Sequence, residues 1–347
     1  MGLTHGFDLT AWSRWQSSQQ PWSRRVRARA TAHRPGAADA PAVLAVGGPA
    51  PRVVVVLDAT TPTALRALLL PVLHLPLDDV AVIAPTPLPQ LDRAGLVHGS
   101  GPAQALLERV VGPGTTVLAL GHYMSLGAAA HAAATAAGAT FVTVQHGLLT
   151  PHAPPLAEGT TLLAWSDADA SFWAEGRLDV TTRVVGSQLL WEAAEPPPVQ
   201  MDVAAAPVFL GQLHGVELPR ALLGRTAEAF CAETGATYRP HPAEKDRRSR
   251  ATHRRWERRG ILVDRSATPL RELRAPVVGI FSTGVLEAAA AGLPAYVYLP
   301  DAPEWVRDFW ARYGLSQWGD APTASPERPD LEPSRAIARW VQEMMTP

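Results

Sequence analysis

"VVGIFSTGVLEAAAAGLPAYVYLP", residues 277–300, decides the fold. Val277 to Phe281 is an unbroken apolar run, the pattern of a strand buried on both faces. It stops at Ser282-Thr283-Gly284, and an Ala-rich helical stretch, Val285 to Ala291, begins almost at once. A second apolar run, Ala295 to Tyr298, follows. Strand, helix and strand in this order give parallel pairing with a helical crossover, the unit of a wound α/β sheet.

The same alternation extends in both directions. Arg52 to Leu57, Val80 to Ala84, Thr116 to Leu120, Phe141 to Val144, Thr161 to Ala164 and Arg183 to Val185 read as strands, with helices at Pro62 to Leu70, Pro102 to Val110 and Ser125 to Ala137. Glu195-Pro196-Pro197-Pro198 interrupts the series as a linker. Strands then resume at Val208 to Leu210, Thr237 to Arg239 and Ile261 to Val263. Helices are expected at Pro219 to Thr234, Asp246 to Arg259, Pro269 to Leu273 and Ala302 to Tyr313. The reading is an N-terminal arm over 1–50, a domain over 51–194, a linker over 195–204, a second domain over 205–330, and a C-terminal helix in 331–347 that packs back on the first domain.

At 347 residues and 47% hydrophobic, the chain can bury two cores. A formal net charge of -1 argues against a general nucleic-acid binder, which needs a basic surplus. One cysteine, Cys231, excludes an internal disulfide and fits a cytoplasmic protein with a small buried thiol. No run is long and apolar enough to span a bilayer, and the N-terminus lacks the apolar core of a signal peptide. Trp12, Trp15 and Trp22 beside Arg24, Arg25, Arg27 and Arg29 suit peripheral contact with the inner face of a membrane, or an arm packed on the domain.

Chemistry-bearing residues gather at the expected carboxyl ends of strands, where wound sheets bind ligands. Ser282, Thr283 and Gly284 open a helix, so hydroxyls and unpaired N–H groups lie at its positive end and suit an anion; Glu287, one turn in, suits a ribose diol. The alternative is a simple N-cap, with Glu287 completing a capping box. "ATYRPHPAE", residues 236–244, ends a strand in Arg239-Pro240-His241-Pro242; the two prolines halt the ladder and leave the imidazole at the tip. Its strand is expected to neighbour the one ending at Ser282, which brings His241 to the same phosphate. Gly211, His214 and Gly215, in "GQLHG", form a further phosphate-approaching loop or an ordinary glycine turn. In the first domain "FVTVQHGLLTPHAPP", residues 141–155, offers His146 as general base, with His152 second; His146 could equally orient the acceptor or touch the donor phosphate. The basic run Lys245 to Arg259 reads first as a solvated helix face and second as a guide for an anionic acceptor or lipid surface.

His241-Pro242 and Ser282-Thr283 resemble the HP and serine motifs of the bacterial sialyltransferase, polysialyltransferase and capsule Kdo-transferase group of GT-B glycosyltransferases. The layout is also similar to the CDP-glycerol glycerophosphotransferases of teichoic acid synthesis. "VVGSQLLWEA", residues 184–193, resembles a Val-x-Gly-x-Pro element of such enzymes, with Gln188 in place of the proline. The resemblance covers about residues 52–315. It implies an α/β fold class of two doubly wound Rossmann-like domains facing a cleft, with Arg239, His241, Pro242, Ser282 and Thr283 at the donor. The acid-rich motif that carries the base in polysialyltransferases has no counterpart here, since Asp167 and Asp169 fall on another strand.

The implied activity is transfer of a Kdo- or sialic-acid-like sugar from a CMP-activated donor to a cell-surface glycan or lipid-linked acceptor, in polysaccharide biosynthesis of the cell envelope. The nucleotide sugar serves as co-substrate, no other cofactor is implied, and no Asp-x-Asp at a strand end of the second domain calls for a metal. The alternatives are polyol-phosphate transfer from CDP-glycerol or CDP-ribitol, a UDP-sugar donor on the same fold, and a non-enzymatic scaffold.

Overall fold

A computed structural model describes residues 2–19, 41–92, 95–195, 205–266 and 268–346. The tryptophan and arginines at 22–29 and the three prolines at 196–198 lie outside them. The chain divides into two compact units, Met1–Gln188 with Pro329–Pro347, and Leu189–Arg328.

The first unit is built on an eight-stranded sheet. Its strands are β1 (Pro41–Val46), β2 (Val53–Val56), β3 (Val80–Ala84), β4 (Val97–Pro102), β5 (Thr116–Ala119), β6 (Thr140–Val144), β7 (Thr161–Ala164) and β8 (Thr181–Val184), in spatial order β4-β1-β3-β2-β5-β6-β7-β8. From β3 to β8 the neighbours pair in parallel. Its helical elements are α1 (Leu9–Gln19), α2 (62–72, with a π-helical centre at Leu65–Leu69), α3 (Ala103–Val110), α4 (Ser125–Ala137) and α5 (Asp167–Trp173). Successive strand residues face opposite layers. Val53, Val55 and Val82 pack into one core with Leu68 and Val72 of α2, while Val54, Val56 and Ile83 pack into the other with Leu107 of α3 and Ala130 of α4. All four residues of β2 are at most 1% exposed, as a strand covered on both faces requires.

Two findings revise the expected domain limits. Residues 41–46, assigned to an arm, form β1, which pairs antiparallel with β3 and β4 at the sheet's edge. The edge strand β4, "VHGSGP", is glycine-rich and largely exposed, so it carries none of the apolar signal that marks an inner strand. The arm's helix α1 packs on the unit: Trp12 is 4% exposed, and its indole Nε1 donates to the His152 carbonyl at 2.8 Å. Among the described residues no helix is long and apolar enough to cross a membrane.

The C-terminal helix, Pro333–Met345, does join the first unit: Ile337, Ala338, Trp340 and Val341 enter the same core as Val53 and Val82. Ser334 N and Gln188 Oε1 are 3.0 Å apart in a donor–acceptor bond at its start. Gln188, where the resemblance calls for proline, therefore supplies an acceptor to this helix.

The second unit carries β9 (Val208–Leu210), β10 (Thr237–Arg239), β11 (Val277–Gly279) and β12 (Ala295–Val297), all parallel, in the order β10-β9-β11-β12. Its longer helices are α6 (Arg220–Thr234), α7 (Arg247–Glu257), α8 (Thr283–Ala290) and α9 (Glu304–Arg312), and a short helix, Gln188–Ala194, leads in from the first unit. The strand expected at Ile261 to Val263 contracts to one parallel bridge, Tyr238 to Val263. Cys231 is 3% exposed inside α6, and burial pushes its thiol up to about 12.

Trp340 is 7% exposed. Trp340→Ala should destabilise the first unit by about 3–5 kcal/mol through the cavity left between the terminal helix and the sheet. Equilibrium denaturation followed by tryptophan fluorescence and far-UV dichroism tests this.

Candidate functional site

In each unit the order of the parallel strands reverses direction once, and the two reversals are filled differently. In the first unit β2 passes through α2 to β3 on one side, while β5 passes through α4 to β6 on the other, so the reversal lies between the ends of β2 and β5. Asp58, just past β2, accepts from Leu126 N at 2.7 Å and Gly127 N at 2.8 Å at the start of α4. A carboxylate of the protein thus occupies this helix's positive end. A side chain at Gly127 would overlap the Gly121 carbonyl oxygen and crowd Asp58, so glycine is required for this closure. Burial raises the Asp58 carboxyl against the lowering effect of the two N–H bonds.

In the second unit the reversal lies between β9 and β11. Here α8 has no acidic residue in its first turn; Ser282 is its N-cap, and its hydroxyl accepts from Gly284 N at 3.2 Å. The third helical position is Val285, so Glu287 lies two residues too far along for a capping box. Thr283, Gly284 and Glu287 are all half-buried in these first turns.

The loop after β9, Gly211 to Gly215, fills the space between the two motifs. Gln212 is 8% exposed, and its Oε1 accepts from both Ile280 N and Phe281 N at 3.0 Å. Ile280 O accepts from Trp310 Nε1 at 2.7 Å, so the exit of β11 is held from both sides. On the loop's other flank His214 stacks on His241, with centroids 3.8 Å apart and planes 16° apart. This corrects the expected adjacency. β10 and β11 are not neighbours, because β9 lies between them, and the loop that follows β9 is what links the His241 tip to the end of β11.

His241 and Pro242 are exposed at that tip. His241 Nδ1 accepts from Ala243 N at 3.1 Å, which leaves the proton of the neutral ring on Nε2. Protonating Nδ1 would set two N–H groups face to face, and partial desolvation of this otherwise exposed ring also lowers the pKa against the opposing pull of Glu244. His241 is thus a neutral Nε2–H donor at neutral pH. His214 is held at about 4, first by burial and then by its histidine neighbour. Arg239 turns elsewhere: its guanidinium donates to Thr268 O and lies 3.5 Å from Asp264.

Gly211 has a packing reason of its own. A Cβ there would lie 2.5 Å from Tyr238 Oη and 2.6 Å from Glu244 Oε1, so the residue is small to admit that buried pair. Glu244 itself, which the sequence reading did not single out, is 4% exposed. Gly215 sits against the loop's own turn, and a Cβ there would lie 3.7 Å from Phe281 Cζ.

In the first unit the half-buried His146 follows β6. Its Nδ1 is sealed from water without a hydrogen-bond partner, and burial holds the ring at about 4, against a raising bond to the Val144 backbone. Gln145 beside it is 1% exposed and accepts from Trp165 N at 2.8 Å while donating to Asp169 Oδ2 at 3.0 Å. Asp169 is therefore part of the packing between β6 and β7. His152 stacks under Trp15 of α1, centroids 4.6 Å apart. Its neighbours give it a part in seating that helix. His122, just past β5 and not singled out by the sequence, is likewise held at about 4 by burial and then by His131. Among the described residues no group of three or more His, Cys, Asp or Glu side chains is gathered for a metal ion.

No family model matches the chain, and no curated protein matches it. Solved structures do. UDP-bound MnaA of S. aureus is 13% identical with a TM-score of 0.48, over 86% of this chain and 88% of that one. A putative UDP-N-acetylglucosamine 2-epimerase of Listeria monocytogenes is 13% identical at 0.45, over 85% and 88%. Anabaena HepE, in complex with UDP and glucose, is 13% identical at 0.44, over 85% and 89%. What those proteins bind is theirs; the functional reading rests on this chain's own strand ends.

Gly211→Ala should destabilise the second unit by about 1–3 kcal/mol, because Tyr238 and Glu244 must move to admit the methyl group; urea unfolding measures it. A second expectation concerns acid. His122, His146 and His214 titrate at about 4 in the folded chain, below the ordinary 6.5, so the unfolded chain takes up protons first. Their contribution to stability is present above about 6.5 and is lost as pH falls towards 4. Denaturation midpoints across that window should decline, and His146→Asn should flatten the slope.

Proposed function

We propose that the chain is a nucleotide-sugar-dependent glycosyltransferase whose second unit binds the donor nucleotide at the carboxyl edge of its sheet, between the ends of β9 and β11. The observation that carries this reading is the contrast between the two reversals. Asp58 occupies the helix start of the first, whereas the second presents a hydroxyl cap and no acid in the first turn. An anionic ligand is repelled by the one arrangement and attracted by the other.

On this reading the α8 start and Ser282, with Thr283 beside it, hold a phosphate, His241 Nε2–H donates to a phosphate oxygen, and Glu287 receives the ribose diol. In the reaction an acceptor hydroxyl forms the new bond to the sugar's anomeric carbon while the bond from that carbon to the phosphate oxygen breaks. The nucleotide leaves with the electron pair, and the donors steady its growing charge. The hydroxyl proton goes to a neutral base.

The motif pair His241-Pro242 and Ser282-Thr283 favours a CMP-activated Kdo- or sialic-acid-like donor and a cell-surface glycan or lipid-linked acceptor, acting on the cytoplasmic side of the envelope. Calorimetric titration with CMP, CDP and UDP tests the reading. CMP should bind, and His241→Ala and Ser282→Ala should each weaken it about tenfold, while His241→Ala should lower turnover by about 10²-fold. Preference for UDP would move the donor class and keep the fold-level role. Silence with all three nucleotides would overturn the proposal.

A further inference from the structure

The second unit keeps one carboxylate out of water directly beneath the loop and the histidine tip. Glu244 lies three residues after His241, and its own N–H donates to the His241 carbonyl at 2.8 Å, which folds the turn back under the strand ends. Its Oε1 accepts from Leu213 N at 3.0 Å, in the middle of the Gly211 to Gly215 loop, and makes a longer contact to His241 N at 3.4 Å. Its Oε2 accepts from Tyr238 Oη at 2.9 Å and His253 Nε2 at 3.0 Å.

These partners come from two sides. Tyr238 is 1% exposed and His253 3%, both packed around the fully buried Trp256, so they belong to the rigid interior. Leu213 and His241 belong to the two segments that meet in the stacked histidine pair. A buried carboxylate is stable only while its lone pairs are filled, so the interior and the two surface segments keep one geometry or leave that charge unsatisfied. A helix-face or solvated role leaves all four bonds unexplained.

We propose that Glu244 is a positioning residue, whose buried carboxylate locks the Gly211 to Gly215 loop and the His241 tip into one arrangement, so that nucleotide affinity depends on a side chain that never touches the nucleotide. The proposal rests on the nucleotide reading above. It also assigns Gly211 its cause, since the carboxylate occupies the space that a side chain there would need.

Glu244→Gln keeps the shape and removes the charge. Two readouts are taken on it: calorimetric affinity for CMP and UDP, and the ring-nitrogen resonances of His241 followed by NMR through a pH titration. CMP or UDP, whichever the unaltered chain binds, should bind about tenfold more weakly. The His241 midpoint should move down, because the anion that raises it is gone. Tyr238→Phe, which deletes one bond and keeps the charge, should weaken binding by a smaller factor of about two to three and serves if Glu244→Gln does not fold. A variant that melts earlier but binds nucleotide normally, with the His241 titration unchanged, would show a merely structural residue and overturn the proposal. If the unaltered chain binds neither nucleotide, the donor reading fails; an unmoved His241 midpoint in Glu244→Gln would sink the positioning role separately.

Discussion

The Gln212 side-chain oxygen, shared between the Ile280 and Phe281 amides, is the contact on which the second unit's carboxyl edge depends. A three-residue strand such as β11 has few ladder bonds of its own, and the two amides that follow it, of Ile280 and Phe281, lie beyond its ladder. One acceptor satisfies both and fixes where the chain turns into α8. The same loop carries His214 onto His241, so a single short segment sets the spacing of motifs about forty residues apart in sequence.

The two units share one kind of strand-order reversal and use it for opposite ends. In both, a helix begins beside the reversal of strand order and offers N–H groups there. The first unit answers them with its own Asp58, a charge-assisted bond that closes the crevice and ties β2 to α4. The second answers with a neutral hydroxyl. The difference of one formal charge at equivalent places is what separates a structural end from a candidate binding end.

Much of the fold was legible because inner strands of parallel sheets are continuous apolar runs. β2, β3, β7, β9 and β10 fall on the residues the pattern marks, and the terminal helix packs where its apolar stripe suggests. The antiparallel edge was not legible. β4 alternates glycine with polar residues and shows no core-facing signature, whereas β1, "PAVLAV", is an apolar run whose antiparallel pairing nothing in its own residues encodes. Of the site, Ser282 and His241 were readable from a strand that ends in hydroxyls and a strand that ends between prolines. Glu244 was not, because a glutamate after Pro-His-Pro-Ala carries no local sign that the fold turns it inward, where Tyr238, His241 and His253 of its own stretch and Leu213 of the loop after β9 converge on it.

Sequence alone determined the parallel α/β class, the number of wound units and the strand ends at which polar residues collect, because these follow from hydrophobic periodicity and from backbone limits local to each stretch. Only the tertiary structure decided which strands adjoin, and so put β9 between β10 and β11. It also decided which charges are buried, making Asp58 a helix cap and Glu244 a hub. Pairing order and burial are set by contacts between segments far apart in the chain, and no residue's immediate neighbours encode them.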